Sequence, residues 1–142
     1  MKVQDIMTDR AVTVGPMEPI AAAARLMKRH NLGALPVCDD TGRLRGVITD
    51  RDIATRCVAG DLDPADTAVR EIMSRGIATC RAEDDVDDAL RTMGTERVRR
   101  LPVVSGGKVV GMVSLGDLAR RDNYVMEAAE ALSEISSNIL RR

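Results

Sequence analysis

At 142 residues the chain is long enough for one domain with a real core and too short for two large ones. Its 21 basic and 22 acidic residues are well mixed and leave a net charge of −1. That balance argues against nucleic-acid and anionic-membrane binding, whose footprint is an excess of Lys and Arg.

There is no Trp or Phe and one Tyr, so the core is aliphatic and the aromatic platforms that stack single-stranded bases are missing. No apolar run approaches the roughly 18 residues of a membrane span. The start, Met1-Lys-Val-Gln-Asp-Ile-Met7, lacks the apolar block of a secretory signal. Cys38, Cys57 and Cys80 fit neither a disulfide framework nor a zinc spacing, which points to buried thiols in a reducing cytoplasm.

In chain order, Ala11-Val-Thr-Val14 is a β-rich run closed by Gly15-Pro16. Pro19 suits the first residue of a helix and Glu18 its positive end, and Ile20, Ala23, Ala24 and Met27 then recur at helical spacing. Asn31 and Gly33 stop that helix. Leu35-Pro-Val-Cys38 predicts a strand entered through a proline, which suits a first position or an edge. Asp39-Asp-Thr-Gly42 predicts a hairpin turn into Leu44–Ile48, and a helix runs from Asp50 to about Ala59. Gly60-Asp-Leu-Asp-Pro64 is a linker.

The same order then returns. Val3-Gln-Asp-Ile-Met-Thr8 matches Val69-Arg-Glu-Ile-Met-Ser74, Leu35-Pro-Val37 matches Leu101-Pro-Val103, and Gly46 and Asp52 match Gly111 and Asp117. The second helix opens with Glu83, Asp84, Asp85, Asp87 and Asp88, acids that suit a solvated, dipole-matched first turn better than a metal site. The second hairpin turn is Ser105-Gly-Gly-Lys108. From Asn123 the repeat ends, and Val125, Ala128, Leu132, Ile135 and Ile139 recur as a heptad seam. That helix either packs back on its own domain or pairs with a second subunit.

The fold class is therefore α+β: two βαββα repeats packed about a pseudo-two-fold axis, plus a C-terminal helix. The boundaries are residues 1–62, 63–122 and 123–142. A unit this small buries too little alone, so the copies are expected to pack face to face and leave two related clefts.

No phosphate-binding P-loop, nucleophile elbow or metal-ligand spacing occurs, and the lone His30 reads as a cation in the last turn of a helix. The chain is read as a binding protein and not an enzyme. The stretches Gly46-Val-Ile-Thr-Asp-Arg-Asp52 and Gly111-Met-Val-Ser-Leu-Gly-Asp117 each place a hydroxyl and a carboxylate three residues apart at a helix mouth. Thr49 with Asp52, and Ser114 with Asp117, fit a reciprocal capping box. The same groups also suit a ligand, the helix start facing a phosphate and the Asp a ribose diol.

With these pieces in register, residues from about Val3 to Arg121 resemble a pair of CBS (cystathionine β-synthase) domains, a Bateman module. In particular they resemble small stand-alone bacterial proteins made of one such pair. The resemblance implies clefts that bind AMP, ADP, ATP or S-adenosylmethionine, with no cofactor required. It implies ribose contacts from Asp52 and Asp117, and phosphate contacts from Thr49 and Ser114. Thr13, Thr79, Ile77 and Ala78 would frame the base, and Pro36 and Pro102 the pocket wall.

Arg97, Arg99 and Arg100 stand where the first copy has Asn31, Gly33 and Ala34, and Asp50 adds negative charge beside Thr49. On charge, both differences favour the second copy for a phosphate-bearing ligand; the alternative for the arginines is a solvated surface set paired with local acids. The resemblance further implies a homodimer, and without a fused enzyme the effector is a separate, unidentified protein. The competing reading is a structural or interaction dimer whose clefts are vestigial and whose four polar residues only cap helices.

Overall fold

The computed structural model describes residues 1–120 and 124–140, with side chains described to residue 137. It is a mixed α+β chain of two repeats and a C-terminal helix, divided into two compact units.

One unit comprises Ala11–Ile77 with Gly107–Val109. In it α1 (Ile20–His30) follows Pro19, which is the extended N-cap residue and not the first helical one. The helix ends at Asn31 in the left-handed conformation (φ 54°), a position that Asn tolerates better than most residues. Its Ile20, Ala23 and Met27 face the core. Then β2 (Ala34–Cys38) pairs antiparallel with β3 (Leu44–Thr49), Leu35 opposite Ile48 and Ala34 opposite Thr49. Pro36 lies mid-strand opposite Val47, not at the strand's start.

The predicted strand at residues 11–14 reduces to a single parallel bridge, Val14 beside Val37, because Gly15-Pro16 turns the chain away at once. The helix expected over Asp50–Ala59 also differs. Only Asp50–Asp52 (α2) is α-helical, and Ile53–Val58 widens into a π-helix, with the Ala59 N–H reaching the Ala54 carbonyl.

The other unit comprises Met1–Arg10, Ala78–Gly106 and Val110–Arg142. Its strands are β1 (Thr8–Asp9), β4 (Cys80–Arg81), β5 (Arg100–Ser105) and β6 (Lys108–Ser114), in the order β1-β6-β5-β4. The helices are α3 (Val86–Glu96), the short α4 (Leu115–Ala119) and α5 (Val125–Leu140). The core is aliphatic, built on Val86, Leu90, Met93, Leu101, Val103, Val113 and Leu118.

Each unit incorporates a leader that precedes the other repeat in sequence. Val3 and Gln4 donate to the carbonyls of Asp84 and Ala82, and β1 pairs with β6, Thr8 opposite Met112. In the same way Val69 and Arg70 donate to Glu18 and Pro16, and Ser74 pairs with Val47 of β3. Gly46 and Gly111 permit these approaches: a Cβ there would stand 2.7 Å from the Ser74 carbonyl and 2.6 Å from that of Thr8.

Packing of α5 against α3 buries Ala128, Ala131 and Ile135. The predicted seam is therefore only half inward: Val125 and Leu132 are exposed, while Ala131 takes the inward position, since a helix on a core tracks 3.6 residues per turn and not 3.5. The side chain of Ile139 and the residues at 121–123 lie outside what is described. No described helix is long and apolar enough to cross a membrane. All three cysteines are buried and unpaired; burial first, then Asp84, pushes the Cys80 thiol up to about 12.

Candidate functional site

In each unit the strand before the short helix ends on a hydroxyl residue, and its neighbours repeat the same geometry. Asp50 donates to the Gly33 carbonyl at 2.9 Å, as Leu115 does to that of Arg99 at 2.8 Å. These bonds place Ala34 beside Thr49, and Arg100 beside Ser114. The parallel partners Val14–Val37 and Cys80–Val103 set the preceding residues side by side, Thr13 with Pro36 and Thr79 with Pro102.

Pro36 and Pro102 are buried, Thr49, Ala78, Thr79 and Ser114 half-buried, and Thr13 and Arg100 exposed. The expected residues thus fall into two groups. Thr13, Pro36, Thr49 and Asp52 share one unit; Ala78, Thr79, Arg100, Pro102, Ser114 and Asp117 share the other. Ile77, expected beside Ala78 and Thr79, is half-buried and counts with the first of these units.

The two carboxylates differ. Asp52 completes the capping box: Thr49 Oγ accepts from the Asp52 N–H at 3.0 Å, and Asp52 Oδ2 accepts from the Thr49 N–H at 3.0 Å. Ser74 Oγ lies 3.4 Å from both carboxylate oxygens, and Arg56 Nη1 stands 3.8 Å from Oδ1. Arg56 is itself fixed by donating to the Ile72 carbonyl at 3.0 Å. The Asp52 side chain is 9% exposed. Nearby, the Asp50 carboxylate accepts from the Arg51 N–H at 2.8 Å and lies against Gly33.

At the other mouth only half of the expected box forms. Ser114 Oγ accepts from the Asp117 N–H at 3.1 Å, but the Asp117 carboxylate does not reach back. It turns to Arg120, its one partner among the described residues, and the side chain is 29% exposed. Arg120 stands at i+3 and pairs with the carboxylate on its exposed side, where the first copy has Thr55. Arg121, which aligns with Arg56, lies outside the described residues.

Sequence reasoning missed Ser74, Arg56 and Arg120. The i+4 and i+3 spacings to Asp52 and Asp117 were visible for the arginines. Ser74 had no local signal, because its proximity to Asp52 arises from the exchanged leader.

Around the Ser114 mouth, Arg97, Arg99 and Arg100 are exposed and form no ion pair with any described residue. Arg97 caps α3 in the left-handed conformation (φ 57°), which costs an arginine about 1 kcal/mol. Asn31 holds that position in the first repeat. A separate groove of about 250 Å³ between α3 and α5 is bordered by Asp87, Glu127, Glu130 and Glu134 with the single cation Arg91, a net acidic rim that disfavours phosphate. Among the described residues no His, Cys, Asp and Glu cluster is arranged to hold a metal ion.

Known proteins resemble this chain in sequence and fold. The family profile described as "CBS domain" matches residues 3–59 and again 69–124. The CBS domain-containing protein YhcV of Bacillus subtilis is 42% identical over 134 residues, 94% of this chain and 94% of that protein. Hypoxic response protein 1 of Mycobacterium tuberculosis is 39% identical over 117 residues, 82% of each. The crystal structure of Hypoxic Response Protein I with two coordinated zinc ions matches with a TM-score of 0.80 and 38% identity, covering 85% of this chain and 98% of that one. The CBS domain pair of protein MJ0100, in complex with 5′-methylthioadenosine and S-adenosyl-L-methionine, matches with a TM-score of 0.75 and 31% identity over 84% of this chain and 94% of that one.

Proposed function

The chain belongs to the CBS-domain family as a tandem pair, and from that premise we propose that it is a non-enzymatic regulatory module that binds an adenosine-containing ligand. The observation that carries this is the Ser114–Asp117 mouth. There a part-exposed carboxylate is released from its own cap, beside exposed arginines, in a chain whose structural relative holds S-adenosyl-L-methionine. Asp117 accepts the ribose hydroxyls, Ser114 donates to the phosphate or the group in its place, and Thr79 and Ala78 frame the base against Pro102.

Arg97, Arg99 and Arg100 favour a phosphate, so AMP, ADP and ATP come before S-adenosylmethionine. The left-handed Arg97 supports this: a backbone cost is kept where Asn serves in the other repeat. Binding changes the balance between states that hold the ligand differently, and a separate effector protein reads the result. The module works as a homodimer in the cytoplasm, and the exposed Val125, Met126 and Leu132 of α5 suit such an interface.

Isothermal titration of ligand-stripped protein with the four ligands tests this. At least one should bind, and Asp117→Ala should weaken it at least about tenfold, the loss expected for hydrogen bonds to a charged group. No heat with any of the four contradicts the proposal.

A further inference from the structure

Resting on that reading, we infer that the two ribose-accepting carboxylates are unequal by construction: Ser74 and Arg56 hold Asp52 shut, so the chain loads its first adenosine ligand at Asp117.

A carboxylate offers about four lone-pair sites, and a ribose diol needs two of them facing one way. On Asp52, Oδ2 already accepts from the Thr49 N–H, Ser74 Oγ shares both oxygens at 3.4 Å, and Arg56 covers Oδ1 at 3.8 Å. To take a diol the carboxylate must give up the Ser74 and Arg56 contacts. Arg56 cannot follow a ligand outward without also losing its bond to the Ile72 carbonyl. Among the described residues Asp117 has none of these ties; Arg120 is exposed and on the solvent side, and leaving it costs little.

The lock also has an address. Ser74 belongs to the leader whose backbone pairs with β3 through Val47, at 3.0 and 2.8 Å. Opening Asp52 therefore loosens the contact of that leader with β3. Ser74 and Arg56 are thus positioning residues: they set how many ligands the chain holds and couple the second one to the leader.

Equilibrium dialysis with labelled AMP, ADP, ATP and S-adenosylmethionine in turn, counting bound ligand per chain, tests the inference. The wild type should saturate first at one per chain. Asp117→Asn should weaken that event at least about tenfold, and Asp52→Asn should change it by less than about twofold. Ser74→Ala combined with Arg56→Met should bring a second ligand into range, strengthened at least about tenfold. Two equal sites in the wild type, or loss of the first event in Asp52→Asn with Asp117→Asn unaffected, overturns the lock while leaving nucleotide binding intact. Binding of none of the ligands to any variant overturns the function itself and the lock with it. Should the double variant fail to fold, the comparison of Asp52→Asn with Asp117→Asn decides alone.

Discussion

Replacing Gly46 by Ala probes the exchanged leader with one methyl group. The new Cβ would stand 2.7 Å from the Ser74 carbonyl oxygen and 2.8 Å from Met73 Sδ. Ordinary contact begins near 3.4 Å, so the Ser74 carbonyl must retreat by about 0.7 Å (3.4 − 2.7). That lengthens the Val47-to-Ser74 hydrogen bond from 3.0 Å to about 3.7 Å, beyond hydrogen-bonding range. Overpacking of this kind costs about 1–3 kcal/mol, and each lost backbone bond about 1 kcal/mol.

Against this, Ala restricts the unfolded chain and returns about 0.4–1 kcal/mol. The net loss is about 1–4 kcal/mol, a fall in Tm of about 3–12 °C at this chain length. Gly94→Ala is the control. There the atoms nearest to the Cβ are those of the Glu134 carboxylate, at 3.0 Å, an exposed side chain that can swing away. Helix propensity then stabilises α3 by up to about 1 kcal/mol. Thermal and urea melts followed by circular dichroism measure both. A Gly46→Ala protein that melts within about 2 °C of the wild type would refute the close approach of the leader.

The helix mouths give a second test by urea denaturation: Thr49→Ala and Ser114→Ala should each cost about 1 kcal/mol, since each removes one cap oxygen, whereas Asp52→Ala should cost more than Asp117→Ala, because only Asp52 also accepts from the N–H of its N-cap residue. Arg97→Asn should raise stability by about 1 kcal/mol through the left-handed position while weakening phosphate-bearing ligands; a variant that gains stability with unchanged affinity removes Arg97 from the site. In the first hairpin turn, the Thr41 hydroxyl, followed by the Arg43 N–H and the Arg45 side chain and opposed by burial, holds Asp39 well below its ordinary 3.8. A lowered carboxylate stabilises the fold above its unfolded value and loses that contribution as pH falls through the lowered one. The difference in unfolding free energy between wild type and Asp39→Asn should therefore hold steady above about pH 5 and shrink below 3.8.

Most of the fold was legible because a repeat states its pattern twice. Leu35-Pro-Val37 and Leu101-Pro-Val103 lie in the expected strands, and Asn31 ends its helix as read. What escaped was non-local. Periodicity assigns Val3–Thr8 and Val69–Ser74 to an element type, but not to the unit they complete, so the exchange of leaders was invisible.

The α5 seam misled because Ala128, Ala131 and Ile135 fit a core-facing stripe while Ala128, Leu132 and Ile135 fit a heptad, and two residues decide between them. At the candidate site the residue types and the Thr49–Asp52 cap were readable. The difference between Asp52 and Asp117 was not: each leader brings a hydroxyl to the neighbouring strand, Ser74 or Thr8, and only the structure shows Ser74 meeting Asp52 while Asp117 pairs with Arg120.

Native mass spectrometry of the wild type and Asp117→Ala, each incubated with AMP, ADP, ATP or S-adenosylmethionine, tests the central claim most directly. The wild type should gain the mass of at least one of these ligands and run as a dimer, and Asp117→Ala should keep the dimer but lose the added mass. Spectra that show no added mass with any of the four, or the same added mass in both proteins, would contradict it.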